Sequence, residues 1–145
     1  MLYLGADHRG FKLMTELIAF FKANRWPFVC LTPDFKKNDD YPTVAEIVAR
    51  TVVKKKGRGL LVCGSGGGMT VAANKINGVR CGLGFATAQV KAMASDDGLN
   101  ILAVAADYTK PALAKDLARV FIKAKGSLAE RHRRRLAAVT ALEKQ

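Results

Sequence analysis

The sequence predicts an α/β domain built on a doubly wound, mostly parallel sheet, and three observations carry that expectation. Short apolar runs alternate with longer amphipathic stretches five times along the chain. No linker and no internal repeat interrupts the alternation. The most distinctive break, Cys63-Gly64-Ser65-Gly66-Gly67-Gly68, directly follows the apolar run 60–62 and directly precedes a small-residue helical stretch at 69–75. A strand that enters a glycine loop and leaves as a helix is the repeating unit of a parallel sheet.

Each element has its own signal. Residues 2–6 read as the first strand, and Asp7-His8-Arg9-Gly10 as the loop after it, broken by Gly10. Leu13, Leu17, Phe20 and Phe21 fall at helical spacing and predict a helix over 11–24. Residues 26–31 read as strand two, carrying Cys30. A polar loop with Pro33 spans 32–40, followed by Tyr41-Pro42. Thr43 is a candidate cap for a helix to about 56, with Val44, Ile47, Val48 and Val52 on one face. Gly57 and Gly59 flank the turn into strand three. Asn77-Gly78 marks a turn, 79–83 strand four with Cys81, 87–95 a short helix, 96–98 a loop and 100–105 strand five. Pro111 suits the first turn of a helix over 111–123, which Gly126 closes. Leu128, Leu136, Val139 and Leu142 give a last helix over 128–143 an apolar face. That helix comes after the alternation is complete, which predicts packing on a partner chain.

Composition narrows the functional classes. A chain of 145 residues, half of them hydrophobic, is large enough for a proper core and too apolar for disorder; one domain over 1–145 is expected. No apolar run approaches the roughly 20 residues of a membrane span, and 1–6 is too short for a secretory leader. Three widely spaced cysteines and two histidines form no metal pattern, so reduced thiols, a cytoplasmic location and no metal are expected. The net charge of +12 is spread over Lys36-Lys37, Lys54 to Lys56 and Arg131 to Arg135 without interleaved aromatic residues. That pattern suits anionic metabolites or a basic solvated surface better than nucleic acid.

The loop at 63–68 is the chemical centre of the sequence. Its glycines allow backbone N–H groups to close on an anion, and its cysteine stands where open α/β sheets bind their ligands. The spacing excludes common alternatives. No Gly-Lys-Ser/Thr closes a nucleotide phosphate loop. A dinucleotide fingerprint from Gly64 would end on Met69 rather than glycine. A hydrolase elbow centred on Ser65 would need glycine where Cys63 stands. By itself the loop reads as an anion site or as a tight turn beside a structural cysteine. Cys30 and Cys81, within strands, read as buried structural thiols.

Gly5-Ala6-Asp7-His8-Arg9-Gly10-Phe11, Asp40-Tyr41-Pro42, Cys63 to Met69 continuing through Ala72-Ala73-Asn74-Lys75, Asn100-Ile101-Leu102-Ala103, and Arg131-His132 with Arg135 occur in order. Together they resemble the type B ribose-5-phosphate isomerase family, which also contains the galactose-6-phosphate isomerase subunits. The resemblance spans nearly the whole chain. It implies a Rossmann-like three-layer sandwich with a five-stranded sheet, no cofactor, and a homodimer or homotetramer with its site at the dimer interface.

The resemblance also implies roles. Cys63, its pKa lowered beside a helix N-terminus, would move the proton between C1 and C2 of a sugar phosphate. Ser65 and the backbone of Gly64, Gly66, Gly67 and Gly68 would hold the enediolate oxygens. Asp7 would hold sugar hydroxyls or assist ring opening, and Tyr41 would line the pocket. His8, Arg131 and Arg135 would hold the phosphate, with Arg9, Asn74, Asp97 and His132 also at the substrate. Two positions depart from the family pattern. Asp96 stands where the ring-opening histidine is usual, with Asp97 in place of the asparagine beside it. Asp107 stands where a phosphate-binding arginine is usual. Two readings remain open: an active isomerase in which Asp96 is catalytic, and a non-catalytic or heteromer-dependent sugar-phosphate-binding chain.

Overall fold

The apolar runs form a five-stranded sheet in the computed structural model, which describes residues 1–144. The strands are β1 (Leu2–Ala6), β2 (Phe28–Cys30), β3 (Arg58–Cys63), β4 (Cys81–Gly84) and β5 (Ile101–Ala105), all parallel, in the order β2-β1-β3-β5-β4. The helices are α1 (Phe11–Ala23), α2 (Tyr41–Lys55), α3 (Gly67–Ala73), α4 (Thr87–Asp96), α5 (Pro111–Lys123) and α6 (Glu130–Ala141), with a 3₁₀ turn at Leu142–Lys144. The last residue of the expected 1–145 domain lies outside the described residues. No described helix is long and apolar enough to cross a membrane.

Helices on both faces explain why the central strands are apolar throughout rather than alternating. Along β3, Leu60 and Val62 join Leu13, Leu17 and Phe21 of α1 and Leu117 and Phe121 of α5. Leu61 and Cys63 face the other way, among Val44, Val48 and Val52 of α2 and Met69 of α3. Arg58 secures the end of α5. Its guanidinium donates to the carbonyls of Phe121, Ile122 (3.1 Å) and Ala124 (2.6 Å) and lies 5.3 Å from the Phe121 ring centre.

Several boundaries differ from the sequence expectation. Strand β2 shrinks to three residues at the sheet edge because Trp26 packs against Phe20 and Phe21 and Pro27 follows it. Helix α2 starts at Tyr41 with Pro42 in its first turn, so Thr43 lies inside it and caps nothing. Its buried face is Val44, Ala45, Val48, Ala49 and Val52, and Ile47 is 43% exposed. Helix α3 starts inside the glycine run, at Gly67. Cys30 closes β2 only half-buried, whereas Cys81 opens β4 fully buried. On α6, His132 is the buried residue, and Val139 is exposed, as are Leu128 before the helix and Leu142 after it. The apolar stripe of α6 is therefore only partly covered by its own domain, at Leu136, which lies against Gly98.

Candidate active site

Because the strands are parallel, their C-terminal ends share one edge. Ala6 pairs with Val62, and Cys63 pairs with Ala105. The loops leaving β1, β3 and β5 therefore meet. The Ala106 N–H donates to the Cys63 carbonyl (2.8 Å) and the Asp107 N–H to the Gly64 carbonyl (3.0 Å). Gly10 is required here: a Cβ on it would lie 2.1 Å from the Val62 carbonyl oxygen. Asp7 turns that loop, its buried carboxylate accepting the Gly10 N–H at 2.9 Å.

The glycine loop wraps the Cys63 thiol. Gly66 adopts φ 73°, a left-handed conformation that favours glycine, and a Cβ there would meet the Leu83 side chain at 2.4 Å. In that conformation the Gly66 and Met69 N–H groups point at the Cys63 sulfur. Burial nevertheless dominates and pushes the thiol up. The two amides and the Arg9 cation pull it down, and the Asp7 carboxylate pushes it up. The expectation of a lowered thiol pKa is corrected on this point: the desolvation of a nearly enclosed sulfur outweighs the amides of the loop and helix α3. Cys81, deeper in the same face, is pushed up to about 12 by burial.

Arg9 and Tyr41 pack against this thiol loop. Arg9 lies against Gly64, where a Cβ would be 2.5 Å from its Nε, and its guanidinium is ion-paired to Asp107. Tyr41 lies across Gly68, where a Cβ would be 2.7 Å from the ring. Ser65 is exposed at the tip of the loop. His8 is held by Asp39, whose Oδ1 accepts the His8 N–H at 2.7 Å and lies 2.9 Å from its Nδ1. Asp39 was not legible as a site residue, since in sequence it is one charge among several in the loop 32–40. Asn74 turns away from the loop. Its amide oxygen accepts the Cys81 N–H at 2.8 Å and its Nδ2 donates to the Cys81 and Thr70 carbonyls, joining α3 to β4.

The remaining predicted residues lie elsewhere. Helix α4 runs back from the C-terminal end of β4, so Asp96 and Asp97 sit at the opposite edge of the sheet, beside the start of β5. The length of β5, roughly 17 Å at 3.3 Å per residue, separates them from Asp107. Asp96 and the Cys63 loop therefore do not meet within one chain: a helix returning from its strand delivers its last turn to the far end. Helix α6 meets that far end at a few points. The Ser127 N–H donates to the Ser95 carbonyl (2.7 Å), His132 Nδ1 lies 3.5 Å from Asp96 Oδ1, and the Gly78 N–H donates to Glu143 (2.7 Å). Between α6 and the edge strand β4 lies a cavity of about 670 Å³ whose lining includes Asp96, Asp97, Arg135, Leu136 and Cys81. The predicted site thus falls into two halves: Asp7, His8, Arg9, Tyr41 and the Cys63 loop at one edge, and Asp96, Asp97, Arg131, His132 and Arg135 at the other.

The fold carrying these loops is that of an α/β sugar isomerase. It matches the structure of ribose-5-phosphate isomerase B from Clostridium thermocellum with a TM-score of 0.93 at 28% identity, covering 99% of this chain and 97% of the other. It matches that of the Mycoplasma genitalium enzyme, solved with bound ribulose-5-phosphate, with a TM-score of 0.92 at 30% identity, covering 99% and 96%. The chain belongs to the ribose/galactose isomerase family, whose model matches residues 2–139. Ribose-5-phosphate isomerase B of Mycolicibacterium paratuberculosis is 31% identical over 137 residues, which cover 93% of this chain and 86% of that protein.

Proposed function

We propose that this chain interconverts ribose 5-phosphate and ribulose 5-phosphate through an enediolate, with Cys63 as the base. The observation that carries the reading is the thiol at the end of β3, met by the Gly66 and Met69 amides and flanked by Asp7 and Arg9. The thiolate takes the proton from C2 of the open-chain aldose, which leaves the enediolate charge on O1. The O2 proton passes to O1, the thiol returns its proton to C1 as C2=O2 forms, and the thiolate is restored. The two amides lower the cost of forming a thiolate inside a buried pocket. Ser65 and the glycine-loop N–H groups hold the enediolate oxygens. His8, fixed by Asp39, and Arg9 hold the phosphate.

The other half of the site comes from a second copy. Two observations support this: the halves lie at opposite edges of the sheet, and Phe85 (69%) and Tyr108 (81%), which follow β4 and β5, are exposed. In such a dimer Asp96, Arg131 and Arg135 of one copy face Cys63 of the other. The reaction needs no metal or organic cofactor, and the cytoplasm, where sugar phosphates are held, is its location. Asp107 in place of a cation favours one other arrangement, a heteromer in which a homologous chain supplies the arginine.

The test is proton exchange at C2 of ribose 5-phosphate in D₂O, followed by NMR, with Cys63→Ala alongside. Exchange by the unaltered chain that vanishes in the variant is expected. Binding of the sugar phosphate without exchange would leave the non-catalytic or heteromeric chain as the better account.

A further inference from the structure

His132 carries an unmet hydrogen-bonding group. It is the buried residue of α6, 8% exposed. Arg131 Nε donates to its Nε2 at 3.1 Å, which assigns the proton of the neutral ring to Nδ1. Nδ1 is buried and has no hydrogen-bond partner among the described residues. Asp96 Oδ1 lies 3.5 Å away, just beyond a good bond, and is engaged by Ser95 Oγ at 2.6 Å. Asp96 itself is part-exposed and lines the cavity beside α6. A buried, unpartnered ring nitrogen 3.5 Å from a carboxylate oxygen fits a contact that closes when the site is filled.

We propose that His132 is the positioning residue for ring opening: its Nδ1–H closes on Asp96 Oδ1 and fixes the carboxylate with Oδ2 turned towards the sugar. This rests on the isomerase reading above. Oδ2 takes the proton from the C1 hydroxyl of the furanose. C1=O1 forms, the C1–O4 bond breaks, and the same proton passes from Oδ2 to O4. The carboxylate is regenerated and no co-reactant is consumed. A carboxylate thereby does the work of an imidazole, provided that its geometry is held from behind. Arg131 contributes by fixing the tautomer.

The sugar chemistry supplies the test. Ribose 5-phosphate is largely closed in water, whereas ribulose 5-phosphate, with O5 blocked by its phosphate, cannot form a furanose. His132→Leu, His132→Asn and Asp96→Asn are compared with the unaltered chain in two assays: kcat/KM on ribose 5-phosphate, and C1 proton exchange of ribulose 5-phosphate in D₂O. The Leu and Asp96→Asn variants are expected to lose about tenfold or more in the first assay and to stay within about twofold in the second. His132→Asn, which keeps a donor near the Nδ1 position, restores most of the first. Equal losses of the Leu variant in both assays, or no loss in either, would overturn the role of His132 alone. Absence of exchange by the unaltered chain on both sugars would overturn the isomerase reading, and this inference with it.

Discussion

Arg9 and Asp107, 98 residues apart in sequence, form an ion pair beside Gly64 at the C-terminal edge of the sheet. Both side chains are substantially solvated, so the pair adds little to stability, about 1 kcal/mol or less. Its effect is on position: it holds a guanidinium beside the thiol loop. A substrate phosphate would compete with Asp107 for that guanidinium. Arg9→Ala should raise KM for the sugar phosphate roughly tenfold, the value of one charged hydrogen bond, with little change in melting temperature. Asp107→Asn removes the competitor and should lower KM. Steady-state kinetics on both variants checks this; a rise in KM for Asp107→Asn would mean that the carboxylate helps to bind the sugar.

Burial sets the pH dependence of the reaction. In the proposed reaction the base is the thiolate, and burial holds the Cys63 thiol above its ordinary value of about 8.5. A raised pKa leaves the base form scarce near neutrality, so kcat/KM should climb with pH through that ordinary value and beyond it. Arg9 favours the thiolate, so Arg9→Ala should move the limb to still higher pH. A rate profile that is level between pH 7 and pH 9 would exclude Cys63 as the rate-controlling base.

Division of the site between two edges makes a complementation prediction. Cys63→Ala and Asp96→Ala homodimers should each be nearly inactive on ribose 5-phosphate. Refolded together in equal amounts, half of the dimers are mixed and each mixed dimer has one complete site, so about a quarter of the unaltered activity should return. Sedimentation would confirm that the mixture is dimeric. No recovery in a demonstrably mixed dimer would place both residues in one chain's site.

Gly66 joins stability to chemistry. An alanine at φ 73° costs about 1–2 kcal/mol, and its Cβ would also press on Leu83. Gly66→Ala should therefore lower the melting temperature by a few degrees. It should also reduce C2 exchange about tenfold by turning an amide away from the sulfur. A variant that melts early yet exchanges at the normal rate would assign Gly66 to folding alone.

Much of this protein was legible in its sequence because the signals are local. The run 60–62, the glycines after it and the small residues of α3 describe one strand, loop and helix without reference to anything distant. The alternation of elements and the helical spacing of Leu13 and Leu17 are equally local, and they yielded the parallel sheet and its covered faces. Quantities that depend on distant chain segments were not legible. The rise of the Cys63 pKa is a matter of how many neighbours exclude water. The clasp of His8 by Asp39 and the pairing of Arg9 with Asp107 need the loops after β1, β2 and β5 to meet. Ile47, apolar and at helical spacing, is exposed because α2 turns Val44, Val48 and Val52 to Gly5 and Gly59 instead. The sequence alone determined the strand, the glycine loop with its cysteine and the helix that follows it. Tertiary structure decided on which edge of the sheet each one stands, because a helix that returns from a parallel strand delivers Asp96 and the α6 arginines far from the thiol.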